Sequence, residues 1–289
     1  MIWQFIINGL ITGILYSLLA IGFALVYNTT RIFHIAAAGI YVFAAYIFWW
    51  FAAKLGLPVI VAAIASIVLT MGLSWLSEIS VYRPLKRRNA SLNVAMISSI
   101  GVMTVLVNIV AMIFGNETKV VDASISKAFH FGEYVLTLPQ AYQAVIGAAV
   151  LILFFIFLSF TNIGLKIRAA SDNERLYESL GCNLNSLRNL VFLLSGAIIA
   201  VASCLTVYDV GLNPNMGMTV LINAMVAMII GGVGRFGTCV AGGLVLGILQ
   251  SLTVFQFASN WQNAIAFIIL LLLLFLRPQG IAGYKQRTV

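Results

Sequence analysis

The chain has 289 residues, 62% of them hydrophobic and only 8% charged, with a mean hydropathy of +1.06. A soluble domain carries about 25% charged residues, so this composition excludes an ordinary water-soluble enzyme, a disordered chain and a small disulfide scaffold. What remains is an integral membrane protein: an all-α, polytopic helical bundle forming a single transmembrane domain over 1–289.

Apolar runs place spans at about 4–27, 34–53, 58–80, 92–115, 139–160, 187–207, 218–232, 238–257 and 261–276. The first has no basic segment ahead of it and no small-residue cleavage site after it, and reads as a retained span. The third opens at Pro58, a residue suited to a first helical turn. The seventh is short and ends in Gly231, Gly232, Gly234 and Gly237, which marks it as broken or re-entrant and leaves about eight or nine helices. A polar stretch at 116–138 reads as an extracytoplasmic loop. Cys182, Cys204 and Cys239 are far apart and read as small buried hydrophobes.

The 16 basic residues outnumber the 8 acidic ones, but they form no stripe. They fall between the apolar runs, which points to orientation in the membrane and not to nucleic acid. With the C-terminus inside, the inner segments hold Arg31, Arg83, Lys86, Arg87, Arg88, Lys166, Arg168, Arg175, Arg188, Arg235, Arg277, Lys285 and Arg287. Only Lys54, Lys119 and Lys127 lie outside. The N-terminus is then outside, which requires an odd number of full crossings. Trp49, Trp50 and Trp261 fall at outer boundaries, where indole rings favour the interface.

The sequence has no GxxxxGK[ST] loop, HExxH, GxSxG or Cys/His cluster, so nucleotide hydrolysis by a P-loop and metal or serine hydrolysis have no residues to carry them. Its two histidines are His34 and His130, the latter read as a solvated loop residue. No titratable residue falls at a predicted midplane. The nearest, Glu78, lies at the inner end of the third span and reads as paired locally with Arg83 or solvated at the interface. A proton-driven carrier needs an intramembrane relay, so the chain either conducts passively or takes its energy from another protein. The candidate lining of a solute path is neutral: Asn8, Ser17, Ser98, Ser99, Asn108, Asn223 and Gln250, with Thr12, Ser66, Thr70, Thr104 and Ser251 beside them. For any one of them, hydrogen bonding between helices is the competing role. Gly9-Leu10-x-x-Gly13-Ile14-Leu15-x-Ser17-Leu18 and Gly243-Leu244-x-x-Gly247-Ile248-Leu249-x-Ser251-Leu252 repeat one pattern. It reads as inverted repeats or as small-xxx-small packing faces.

The inner segment 161–188 is the most readable. Ser171-Asp172-Asn173-Glu174 has the form of a capping box, with Ser171 as N-cap; Asp172 and Glu174 suit the positive end of the helix dipole; Gly181 is a natural stop. This predicts a short cytoplasmic helix over about 172–180, with Leu176 and Leu180 on one face flanked by Arg175 and Glu178. Two turns are marginal alone, so the helix needs a membrane or protein surface to dock on. Tyr82-Arg83-Pro84-Leu85-Lys86-Arg87-Arg88 is a second inner patch, read as a topology anchor or a contact.

Several runs in fixed order carry a resemblance. These are Ala20-Ile21-Gly22-Phe23-Ala24-Leu25-Val26-Tyr27, Arg31-Ile32-Phe33-His34-Ile35-Ala36, Tyr82-Arg83-Pro84-Leu85, Ile97-Ser98-Ser99-Ile100-Gly101, Gly164-Leu165-Lys166-Ile167-Arg168-Ala169-Ala170 and Ser179-Leu180-Gly181-Cys182-Asn183. Asn213-Pro214-Asn215-Met216-Gly217, Gly231-Gly232-Val233-Gly234 and Arg277-Pro278-Gln279-Gly280 complete the set. Over nearly its whole length the chain resembles the H-type permease subunit of branched-chain amino acid ABC importers. The resemblance implies a multi-pass protein of the prokaryotic inner membrane, not itself an enzyme, with no cofactor of its own. ATP is used by two cytoplasmic ATPase partners. A second permease subunit and an extracytoplasmic solute-binding protein complete the importer. It also implies that 171–181 is the coupling helix that meets the ATPases. The chain departs from the family at Phe33-His34-Ile35-Ala36-Ala37-Ala38-Gly39 and at Arg235, where the family usually has Asn-Phe-Ala-His-Gly and Ser; relatives that carry urea or short amides are the alternative. The competing classes are a stand-alone facilitator for a small neutral solute, a membrane-embedded enzyme and a non-transporting scaffold.

Overall fold

A computed structural model describes residues 2–121, 128–131, 134–232, 234–256 and 261–276. Seven helical stretches are long and apolar enough to cross a bilayer. They are α1 (Ile2–Thr30); α2 (Ala37–Trp49), carried by a π-helical turn to Lys54; the rod Val59–Arg87; α5 (Leu92–Phe114); α6 (Leu138–Phe160); α9 (Leu184–Val210); and α11 (Phe236–Gln256). The rod is made of α3 (Val59–Ser77), a second π-helical turn (Glu78–Tyr82) and α4 (Arg83–Arg87). Two further apolar helices are shorter, α10 (Met216–Gly231) and α12 (Gln262–Leu276). Each of the nine apolar runs is thus a helix among the described residues. Two short helices, α7 (Asn162–Asp172) and α8 (Glu174–Ser179), join α6 to α9. The polar stretch before α6 contains an antiparallel hairpin, β1 (Ala128–Phe131) with β2 (Tyr134–Thr137), in which Phe131 faces Tyr134 across the turn. β2 runs into α6 through a capping box formed by Thr137 and Gln140.

Burial orders the bundle. The most apolar stretch of α1 is 83% buried, against 22% for the α3–α4 rod, 11% for α5 and 28% for α6. The first helix is therefore the axis, wrapped by α9, α10 and α11, while α3, α5 and α6 turn broad apolar faces outward. Such faces are stable only against lipid or another apolar chain.

The repeated glycine pattern explains why α1 and α11 lie closest. Gly9, Gly13 and Ser17 run antiparallel along Gly243, Gly247 and Ser251. Ser17 Oγ donates to the Val240 carbonyl at 3.0 Å and Ser251 Oγ to the Phe5 carbonyl at 2.5 Å, so each serine staples one end of the crossing. A methyl group on Gly13 would stand 2.8 Å from Leu244 Cα, and one on Gly247 would stand 2.5 Å from Gly13 Cα. Packing of small residues at backbone-to-backbone range is how helices associate where no hydrophobic drive exists. Gly247→Val is expected to destabilise the detergent-solubilised protein by about 1–3 kcal/mol or more through overpacking. Gly72→Ala, which has open space around it, should leave the thermal midpoint unchanged. Equal midpoints for both variants would refute the close crossing.

Two helices begin inside the bundle. After Thr30 the chain turns at Arg31, whose φ of 57° is left-handed, and re-enters, with Ile32, His34 and Ala36 all buried. The start of α10 meets α2 there: a methyl on Gly217 would lie 2.5 Å from the Ala38 carbonyl oxygen and 2.7 Å from Val42 Cγ2. α10 has 16 residues, about 24 Å at 1.5 Å per residue, against about 30 Å of hydrocarbon. The chain ahead of it at Leu212 is buried.

Contacts sort by side as the basic residues predict. Gln4 Nε2 donates to the Val135 carbonyl at 2.8 Å, Trp49 Nε1 to the Val120 carbonyl at 3.0 Å, and Lys119 pairs by backbone with Leu212. All six are residues that the distribution of basic residues assigns to the outer side. Arg31, Arg83 and Lys86 meet Ser171, Asn189 and Glu174, all on the inner side.

Candidate functional site

The inner end is built around α7 and α8. Asn173 (φ −148°) breaks the helix between them, and its side chain accepts the Leu176 amide at 3.0 Å. The cap of the short helix is therefore Asn173 and not Ser171. Ser171 and Asp172 are the last residues of α7, because the helix opened by Thr161 continues through both. Asparagine beside Glu174 is as good an N-cap as serine, and it wins once Ser171 is already helical. The Ser171 carbonyl accepts Arg31 Nη2 at 2.9 Å, joining α7 to the end of α1. Gly181, at φ 77°, ends the turn after Leu180.

α8 is held by its buried side and offers the other. Tyr177 is buried, and burial, with the Cys182 thiol beside it, raises its phenol above the ordinary value. Lys86 Nζ lies 2.6 Å from Glu174 and 3.6 Å from Glu178. Both pairs are partly exposed and are worth no more than about 1 kcal/mol each. Leu176 and Leu180 are 57% and 73% exposed, and Arg175 is exposed beside them.

Glu78 does not pair with Arg83. It is fully buried and receives Arg188 Nε at 2.7 Å on one oxygen and Arg188 Nη2 at 3.0 Å on the other. Arg83 instead donates to Asn189 Oδ1. Two successive residues of α9 thus clamp the inner end of the rod. The π-helical turn starts at Glu78, and its last residue, Tyr82, is also buried. Such turns widen a helix locally and recur at functional positions. Tyr82 Oη donates to Ser99 Oγ at 2.7 Å, and the Ala36 amide donates to the same oxygen at 2.8 Å. His34 Nδ1 lies 2.9 Å from Tyr82 Oη. Ser99, Tyr82 and His34 together lock the re-entrant segment.

The other candidate path residues separate. Gln250 Nε2 donates to Asn223 Oδ1 at 3.1 Å, and Asn223 Nδ2 to Tyr16 Oη at 3.3 Å. Gln262 Nε2 approaches Gln250 Oε1 at 3.4 Å. This chain of three amides and a phenol links α12, α11, α10 and α1 and is buried at Asn223 and Gln250. Ser17 is buried in the α1–α11 crossing. Asn8 is half-buried and accepts from Gln4 Nε2 at 3.3 Å near the outer end. Ser98 is half-buried on α5. Asn108 alone of the seven is exposed, its amide donating to the Thr104 carbonyl one turn back at 2.7 Å. Sequence reasoning missed Arg188, Tyr16 and Asn173. The first carried a usable signal, a lone cation inside the apolar run from Leu187 onward, which needs a buried acid.

The family model described as the branched-chain amino acid transport system permease component matches residues 5–274. A high-affinity branched-chain amino acid transport system permease protein, BraD of Pseudomonas aeruginosa, is 30% identical over 98% of this chain and 96% of its own length. LivH of Escherichia coli, of the same description, is 28% identical over the same shares. A probable branched-chain amino acid transport permease of Methanocaldococcus jannaschii is 25% identical over 96% of this chain and 92% of its own. The solved structure of PsaBC from Streptococcus pneumoniae in complex with Fab has the same fold at a TM-score of 0.52 and 16% identity, covering 94% of this chain and 91% of that one. With a multi-pass helical bundle and a match over nearly its full length, the chain belongs to the permease component family of branched-chain amino acid transport systems.

Proposed function

We propose that this chain is the permease subunit of an ATP-driven importer for branched-chain amino acids and forms half of the translocation path. A second permease subunit forms the other half, two cytoplasmic ATPases dock beneath, and an extracytoplasmic binding protein delivers the solute. The observation that carries this reading is the anchored cytoplasmic helix α8, with Leu176 and Leu180 exposed on a chain whose family is a transport permease. A facilitator has no use for a dock of this kind. ATP-driven closure of the ATPases would move α8, and its direct continuation into α9 would carry that motion into the bundle as a rigid-body switch. Asn108 is exposed on the apolar helix α5, its amide bonded one turn back to the Thr104 carbonyl. A polar side chain on that outward face supports α5 as a wall of the path or of the contact with the second permease.

The test is uptake of labelled leucine by proteoliposomes holding the purified complex, with the loaded binding protein outside and ATP inside. ATP-dependent accumulation supports the proposal. Leucine flux through this chain alone, without ATP, would instead establish a facilitator. Accumulation of urea or a short amide with no leucine uptake would move the solute to the alternative class.

A further inference from the structure

The rod Val59–Arg87 has 29 residues, about 43 Å at 1.5 Å per residue. Even at an average tilt of about 20° it outruns the roughly 30 Å of hydrocarbon. A rod that starts at the outer boundary after Pro58 therefore carries α4 past the inner one. Lys86 of α4 meets Glu174 and Glu178 of α8, so α8 stands at the same level. The exposed side chains of Leu176 and Leu180 then lie beyond the hydrocarbon, where an apolar pair is covered by protein and not by acyl chains.

Charge is divided unevenly on this surface. Lys86 takes both acids of α8. Arg175 of α8 and Arg87 of α4 are exposed, and neither meets an acid among the described residues. Arg87 lies four residues after Arg83, which bonds Asn189 of α9, so it belongs to the side of α4 that faces α8 and α9. Arg88 does not, for it lines the groove between the rod and the start of α5 with Pro84 and Val94. The inner surface thus has an apolar centre, Leu176 and Leu180, edged by guanidinium groups from two helices. It fits a receiving surface that is apolar at its centre and carries carboxylates at its rim, since arginine forks match carboxylates and rim charges steer encounter. We propose, on the reading of the chain as an importer subunit, that the ATPase dock is composite. It takes in the end of the rod through Arg87 as well as α8 through Arg175, both against an acidic rim on the ATPase. The ATPase stroke then reaches two elements of the bundle, α9 through α8 and the rod through α4.

The test uses the full chain with its ATPase subunits. Binding of the ATPases to the immobilised permease is read in uncharged detergent at low and high salt, with a thermal midpoint for each variant. It is repeated in phosphatidylcholine vesicles with and without phosphatidylglycerol. The variants are Arg87→Gln/Arg175→Gln in the dock and Arg88→Gln outside it. The expected result is about tenfold weaker binding by the double variant at low salt, the sum of two modest rim pairs. That difference closes at high salt, Arg88→Gln binds as the wild type does, and the midpoints agree. Equal binding by the double variant at every salt, an equal loss in Arg88→Gln, or an early melt of the double variant overturns the proposal. So does a loss seen only with phosphatidylglycerol, which assigns the two arginines to lipid headgroups. If the wild type itself holds no ATPase, the importer reading falls and the dock with it. If wild type and double variant hold the ATPases alike, the composite dock alone falls.

Discussion

Leu176→Asp is expected to abolish co-purification of the ATPase subunits while leaving the permease itself folded. The side chain is 57% exposed and Leu180 is 73% exposed, so the substitution touches little inside the chain. Tyr177, Asn173 and Lys86 hold the helix by other atoms. At the centre of a docking surface, removing such an apolar anchor costs about 2 kcal/mol or more, roughly a thirtyfold loss of affinity, and a carboxylate that must be desolvated adds to it. Leu176→Met keeps the apolar volume and should retain the partners. The measurement is a tagged pull-down from detergent-solubilised membranes, paired with a thermal midpoint for each variant. If Leu176→Asp retains the ATPases as well as Leu176→Met does, α8 is not the dock. If both leucine variants lose the ATPases and melt early, α8 is part of the fold.

Features written in local runs were legible, and the pairing of distant runs was for the most part not. Among the described residues all nine apolar runs are helices, because a bilayer demands that backbone polar groups be satisfied within the segment. The small-residue faces of α1 and α11 were readable from glycines and serines repeated at helical spacing, although not that the two faces meet. The short helix α8 was readable to within two residues at its start, and the error there is instructive. Ser171-x-x-Glu174 and Asn173 are both proper caps, and the choice between them lies with α7, whose helix runs on through Asp172. Ser171 is a residue of α7 and not a cap, and its carbonyl accepts Arg31. The hairpin Ala128–Thr137 was not legible, for a four-residue strand leaves no periodicity to read. Among the polar residues, Asn223 and Gln250 share one network although 27 positions apart. Ser99 bonds to Tyr82 and to the Ala36 amide, a pairing set by the re-entrant segment and by no pattern in α5. Glu78 was placed with its neighbour Arg83 because proximity in sequence was the only information available. The true partner lies 110 positions away.

That partner supports the second large effect. Arg188→Met is expected to destabilise the protein by about 3–5 kcal/mol, because it leaves a fully buried carboxylate without its counter-charge. Glu78→Leu should cost a similar amount for the mirrored reason. The double variant Glu78→Leu/Arg188→Met replaces both charges with apolar groups of similar volume, and such a swap is often neutral. Its thermal midpoint in detergent should therefore lie near the wild type's, a strong non-additivity. Simple addition of the two losses would show that the residues do not act as a pair. If stability returns, the double variant isolates what the pair does besides hold the fold. Arg188 sits one turn into α9, the helix that α8 leads into, and Glu78 begins the π-helical turn of the α3–α4 rod. Together with Arg83–Asn189 they bind that rod to the element that would receive the ATPase stroke. Apolar replacements restore packing but not the directional, two-pronged hydrogen bonding of guanidinium to carboxylate. The double variant should then bind ATPases normally yet lose most of the stimulation of ATP hydrolysis by loaded binding protein. Normal stimulation in a stable double variant would reduce the pair to a packing element and leave α9 alone to carry the motion.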